Sequence, residues 1–146
     1  TKKSLDTFLV LLYYFTSTKK RGDTMAWNLN SDRPIFIQIV ERIEMDIISG
    51  KYKPGDKLPS VRDLAAEAAV NPNTMQKAFT ELERTGLVFS QRTTGRFITE
   101  DTSMIDELKS TLAKDKITEL LSFMQQLGFQ ENEILAMIGQ TMKGEK

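Results

Sequence analysis

Lys57-Leu-Pro-Ser-Val-Arg-Asp-Leu-Ala-Ala-Glu-Ala-Ala-Val-Asn-Pro-Asn-Thr-Met-Gln-Lys-Ala-Phe-Thr-Glu-Leu-Glu-Arg-Thr85 reads as two short amphipathic helices joined by a tight turn. Each has its own start signal. Ser60 offers a capping hydroxyl with Asp63 three residues on, the spacing of a capping box. Asn71 opens the second helix with Pro72 at its first position, and Gly86 stands just past its end. Val61, Leu64, Ala65 and Ala68 recur at helical spacing, as do Met75, Ala78, Phe79 and Leu82, so each helix has one face to bury. At about 100° per residue, Asn73, Gln76, Lys77 and Thr80 then fall on nearly the opposite side of the second helix.

The flanks extend the pattern. Upstream, a helix is expected over Pro34–Ser49, with Asp32 as its cap, Pro34 in its first turn and Gly50 ending it. Ile35, Ile39, Ile43 and Ile47, with Phe36, Val40 and Ile48, form its apolar stripe. Lys53-Pro-Gly-Asp56 is a turn signal. Downstream, Leu87–Gln91 and Arg96–Thr99 read as short strands around Arg92-Thr-Thr-Gly95. Ser103 opens a fourth helix reaching Leu127, with Asp106 at capping-box spacing, and Gly128 breaks it. A fifth helix runs over Glu131–Met142. The expected fold is mainly α with a small β-hairpin wing: a winged helix-turn-helix domain over 25–100 and a two-helix arm over 101–146.

Residues 1–24 differ in character from the rest of the chain. Phe8–Phe15 is apolar and Lys19-Lys-Arg21 closes the segment. Eight residues cannot span a bilayer, which needs about 20, and the basic cluster comes after the apolar run where a signal peptide would place it first. No membrane partner is expected. The segment reads as an upstream or artificially appended extension; the alternative is a helix that packs on a partner.

The chain has no Cys and no His, which excludes disulfides, thiolate nucleophiles, imidazole bases and the usual zinc sites. No constellation of carboxylates, Lys or Ser converges on a site. The expectations are therefore no enzyme, no metal, no cofactor and a cytoplasmic protein. Lys+Arg number 20 and Asp+Glu 20, a net charge of zero. Any surface for a polyanion must be a local patch, with acidic groups turned elsewhere.

The polar face of the second helix has the chemistry of base recognition. Asn and Gln bond adenine bidentately, and Lys reaches guanine or phosphate. Asn71 and Thr74 lie in the first turn, where a recognition helix meets the groove. Ser60, Asn71 and the amides of both helix starts can hold phosphate oxygens. Taken singly, these residues are equally explained by capping and by a solvated face; the signal is their assembly with the basic hairpin downstream.

Gly50-Lys-Tyr-Lys-Pro-Gly-Asp-Lys-Leu-Pro-Ser-Val-Arg-Asp-Leu-Ala65 resembles the signature of the GntR family of bacterial winged helix-turn-helix regulators. Val70–Phe79, Glu81–Leu87 and the opening Arg33-Pro-Ile-Phe-Ile-Gln38 continue the resemblance, which covers roughly 25–100. The short tail resembles the YtrA-like subfamily. The resemblance implies double-stranded DNA as partner, with Ser60, Arg62, Asn71, Asn73, Thr74, Gln76 and Lys77 on the duplex. It places Arg92, Gly95 and Arg96 in a wing that enters the adjacent minor groove. One departure stands out: the family wing often reads Arg-Gly-x-Gly-Thr before an aromatic, and here it is Arg92-Thr-Thr-Gly-Arg-Phe97. Thr93 replaces a flexible Gly, and Arg96 adds a charge suited to a narrow minor groove.

In the arm, Ile105, Leu108, Leu112, Ile117, Leu120, Leu121, Met124 and Leu127 keep one side apolar. Ile134, Leu135, Met137, Ile138 and Met142 load the last helix. Two helices cannot bury this much surface alone, so a homodimer is expected, with Ile105, Leu108, Leu112, Leu120, Leu121, Met124, Leu127, Ile134, Leu135 and Ile138 at its interface. A dimer implies a pseudo-palindromic operator. The leading function is a dimeric repressor of a bacterial operon, with transporter genes as the target the subfamily suggests; the alternative is a winged-helix docking module that does not read DNA. The operator, the regulated genes and the existence of a small-molecule effector stay open.

Overall fold

The computed structural model describes residues 27–144, so the expectations for residues 1–24 lie outside the described part. The chain divides into two compact units, with 27–110 in one and the described residues 111–144 in the other.

In the first unit, α1 (Ile35–Ile48), α2 (Val61–Ala68) and α3 (Pro72–Arg84) precede β1 (Val88–Gln91) and β2 (Gly95–Ile98). The helix starts arise from the capping chemistry. The Asp63 amide donates to Ser60 Oγ at 3.1 Å, and the Asn73 amide donates to Asn71 Oδ1 at 2.8 Å. Between α2 and α3 lie only residues 69–71, with Ala69 left-handed at φ 56°. The Val70 amide donates to the Ala65 carbonyl at 3.0 Å, which closes the end of α2 and sets up the sharp turn. Asp32 does not cap α1. Pro34 is its N-cap and no side chain bonds there. The entry is instead tied by Gln38, whose amide nitrogen donates to the Asn30 carbonyl at 2.8 Å and the Arg33 carbonyl at 3.0 Å.

The three helices and the hairpin enclose one core in which Ile39, Ile43, Leu64, Met75, Ala78, Phe79 and Ile98 are fully buried. The strands pair antiparallel, with Val88 facing Ile98 and Ser90 facing Arg96. A third segment, not expected from the sequence, joins them. Lys57 bridges Phe97, the Leu58 amide donates to the Arg96 carbonyl at 2.8 Å, and the Ile98 amide donates to the Asp56 carbonyl at 2.8 Å. The loop before α2 is thus stitched to the wing. At the hairpin tip Thr93 has φ 66°, a left-handed conformation that costs a β-branched residue on the order of 1 kcal/mol or more.

The helix α4 (Thr102–Gln126) starts one residue earlier than expected, and its cap is Asp101 rather than Ser103. Asp101 Oδ1 accepts from the Ser103 hydroxyl at 2.5 Å and the Ser103 amide at 3.0 Å. The Ser103 hydroxyl bond, then the Met104 amide, hold the Asp101 carboxyl below the usual aspartate range. The first turns of α4 belong to the winged unit: Ile105 and Leu108 pack partly buried against its core. That unit accordingly runs ten residues past the boundary expected at 100.

In the second unit, α4 ends at Gln126 before Gly128, whose φ is 95°, and α5 (Glu131–Met142) comes next. Here Gln130 and Glu133 form a reciprocal capping box. Met124 and Ile134 are buried. Around them Ile117, Leu120, Leu121, Phe123, Leu127, Leu135, Met137 and Met142 remain exposed. No helix among the described residues is long and apolar enough to cross a membrane.

Candidate nucleic-acid interface

The apolar stripe of α3 is entirely consumed by the core, so its outer side is left to polar groups. Asn73, Gln76, Lys77 and Thr80 are exposed there, with Asn71 at the N-terminus. Thr74 is half-buried. The Thr80 hydroxyl donates to the Gln76 carbonyl at 3.0 Å, and Gln76 Nε2 donates weakly to Thr80 Oγ1 at 3.4 Å. A bond that long is easily exchanged for a base edge. The ammonium of Lys77 lies 4.1 Å from the centroid of the Phe36 ring, a cation–π contact that orients the side chain without neutralising it. Ser60 and Arg62 are exposed at the start of α2, and Arg92 and Gly95 at the wing tip.

Charge is sorted across this unit. Of the ten basic residues between 27 and 100, Arg33, Arg42, Lys51, Arg84 and Arg96 are ion-paired. Lys53, Lys57, Arg62, Lys77 and Arg92 make no ion pair among the described residues. The unpaired five occupy the loop before α2, the first turn of α2, the outer side of α3 and the hairpin tip. Acidic groups gather where α1 meets α3. Burial, then the charges of Glu41 and Glu81, push the Glu44 carboxyl above its ordinary range. This is how a chain of zero net charge keeps a local cationic surface.

Lys57 was not among the residues expected on the duplex, and the structure sets it beside the wing. A cleft of about 540 Å³ between the loop before α2 and the wing is lined by Lys57, Ser60, Asp63, Thr93, Thr94 and Gly95, among others. The stem of Lys57 lies against Gly95, where a Cβ would stand 2.9 Å from Lys57 Cε. Gly95 has φ 120°, so a side chain there would be strained, and the far end of Lys57 would have to swing aside. The available signal was a basic residue three positions before a helix cap, too common to single out without the strand bridge.

Arg96 is placed differently from the other expected contacts. Its Nε donates to Glu83 Oε1 at 2.5 Å, and its guanidinium carbon sits 5.1 Å from the centroid of Phe79. The Ser90 hydroxyl donates to the same Glu83 oxygen at 2.6 Å. Burial pushes the Glu83 carboxyl up, but the bonds from Ser90 and Arg96, with the charge of Arg96, outweigh it and hold the carboxyl below its ordinary range. Among the described residues no group of three or more acidic side chains could hold a metal ion.

Residues 37–98 match the family described as bacterial regulatory proteins, gntR family. The chain is 40% identical over 105 residues to the uncharacterized HTH-type transcriptional regulator YhcF of Bacillus subtilis strain 168, covering 72% of this chain and 87% of that protein. It is 41% identical over 97 residues to the HTH-type transcriptional repressor YtrA of the same organism, covering 66% of this chain and 70% of that one. Its fold is similar to that of a GntR family transcriptional regulator from Listeria monocytogenes, with TM-score 0.72 and 39% identity over 77% of this chain and 98% of the other.

Proposed function

This chain belongs to the GntR family, in its YtrA-like branch, and is a DNA-binding transcription regulator; from that premise we propose that it acts as a homodimeric repressor at a pseudo-palindromic operator. The observation that carries the reading is the sorting of charge in the winged unit, where the cations without carboxylate partners lie on the loop before α2, the first turn of α2, the outer side of α3 and the hairpin tip. Asn73 and Gln76 read base edges, with Asn71 and Thr74 in the first turn of the same helix. Lys57, Ser60, Arg62 and Lys77 hold phosphates, and Arg92 with Gly95 brings the wing to the minor groove.

Dimerisation rests on the second unit. Of the residues expected at the interface, Leu120, Leu121, Leu127 and Leu135 are exposed, and Ile117, Phe123, Met137 and Met142 add to them. Leu112 and Ile138 are half-buried. Met124 and Ile134 are buried inside the unit, and Ile105 and Leu108 are spent on the winged core, so these four support the interface without forming it. Apolar side chains of this number, left open to water, favour burial against a second copy. A small-molecule effector would find its site in a crevice between two arms. Repression agrees with the name of the relative YtrA.

Selecting genomic fragments on the purified chain and footprinting the retained ones tests the proposal. Two inverted half-sites, one helical turn or a multiple apart, are expected. Protection of a single unrepeated half-site would contradict the dimeric reading.

A further inference from the structure

We propose that Arg96 is a positioning residue, which with Glu83 latches the wing to the recognition helix and so fixes where Arg92 meets the duplex. Ser90 and Arg96 face each other across the two strands of the wing. Both converge on one oxygen of Glu83, in the last turns of α3, at 2.6 Å and 2.5 Å. Two wing strands and the recognition helix therefore meet at a single carboxylate. The guanidinium also lies over the ring of Phe79, which is fully buried on α3, so the latch has an apolar floor. The Arg96 side chain is only 26% exposed and that of Glu83 30%, which places the pair at the seam between helix and wing rather than at the wing tip.

The energetics favour this role over groove insertion. To enter a minor groove Arg96 would have to leave a carboxylate, a ring face and a partly desolvated seat, and it would strand Glu83 beside a polyanion. Holding the pair intact costs none of this, and it keeps the Glu83 charge neutralised where DNA approaches. A hairpin of four-residue strands has little intrinsic stiffness. Its direction is set by what ties it down, and the latch ties both strands to the helix that reads bases.

The test is a set of anisotropy titrations on a selected operator duplex, with salt dependence, for R96A, R96K, E83Q, and R92A alone and combined with R96A. Thermal unfolding of each variant is measured in parallel. E83Q keeps the size and the Ser90 bond, so it reports on the pair even where R96A weakens folding. The latch predicts that R96A, R96K and E83Q each lose about tenfold in operator affinity. It also predicts that the salt slope of R96A falls by less than one phosphate contact, and that R92A costs much less in the R96A background than alone. Wild-type affinity in R96K and E83Q, with a loss and a lower salt slope confined to R96A, would assign Arg96 to the groove and overturn the proposal. Unchanged affinity in all of the Arg96 and Glu83 variants would overturn it as well.

Discussion

Phe79 and Phe123 stand on different helices of one chain and meet opposite fates. Phe79 is 0% exposed at the centre of the winged unit, and Phe123 is 56% exposed on α4. In the winged unit every apolar stripe finds a partner, and the large apolar side chains left exposed are few: Ile37, Met45 and Phe89 among the described residues. In the second unit the helices bury Met124 and Ile134 and leave most of their large apolar side chains open. The first unit closes its core within one copy; the second leaves open the apolar side chains on which the proposed dimer rests. The winged unit is internally satisfied and carries the polar face of α3, and the open apolar side chains of the second unit are what the proposed dimer would cover.

The largest test of that contrast is to remove each ring. Phe79→Ala should cost about 3–5 kcal/mol in denaturant unfolding, through lost burial and a cavity. Phe123→Ala should leave the unfolding of the winged unit unchanged while weakening self-association in sedimentation. Equal destabilisation by both would break the comparison. Next in size, Leu120→Asp should place an unpaired charge on the proposed interface at a cost of about 2 kcal/mol or more. Sedimentation velocity should then show a monomer at micromolar concentration, with the helical circular dichroism signal retained. A wild-type dimer in the variant would remove α4 from the interface.

Smaller effects separate base reading from phosphate holding. Gln76→Ala or Asn73→Ala should relax preference at one base position by about 1–3 kcal/mol, scored on a panel of single-substitution operators. Lys57→Ala should weaken all sequences alike and lower the salt slope by about one unit. Equal losses on operator and random DNA for Gln76 and Asn73 would contradict base readout. The smallest expected effect is alkaline. Burial first, then the charges of Asp46 and Glu67, push the Tyr52 hydroxyl up to about 12. The neutral phenol is favoured in the fold, so its contribution is whole below the unfolded value near 10 and is lost as pH rises through about 12. Ultraviolet titration of Tyr52→Phe against the wild type isolates that transition.

Local chemistry made much of this fold legible. Ser60, and Asn71 with Pro72, start α2 and α3 where capping rules place them, and α5 runs from Glu131 to Met142 as its periodicity indicates. Competition between adjacent caps was not legible: Asp101 and Ser103 both offer an acceptor, and the carboxylate collects three donors including the Ser103 hydroxyl itself. Contacts between distant residues were hidden for a different reason. The bridge from Lys57 to Phe97, the seat of Ile105 and Leu108 on the winged core, and the pairing of Arg96 with Glu83 depend on how elements meet. Periodicity describes one element at a time and carries no such information. The exposed polar face of α3 was therefore legible, because one helix presents it, and the arrangement at the wing was not, because a loop, a hairpin and a helix converge there.

The most direct measurement of the central claim is an anisotropy titration of the full chain on a selected operator and on a scrambled duplex of equal length, from 50 to 200 mM salt. A complete reading surface predicts operator binding at least about a thousandfold tighter than scrambled binding, with affinity falling steeply as salt rises. Binding that is absent, insensitive to salt or equal on the two duplexes would contradict it and point to a protein-docking role for the winged unit.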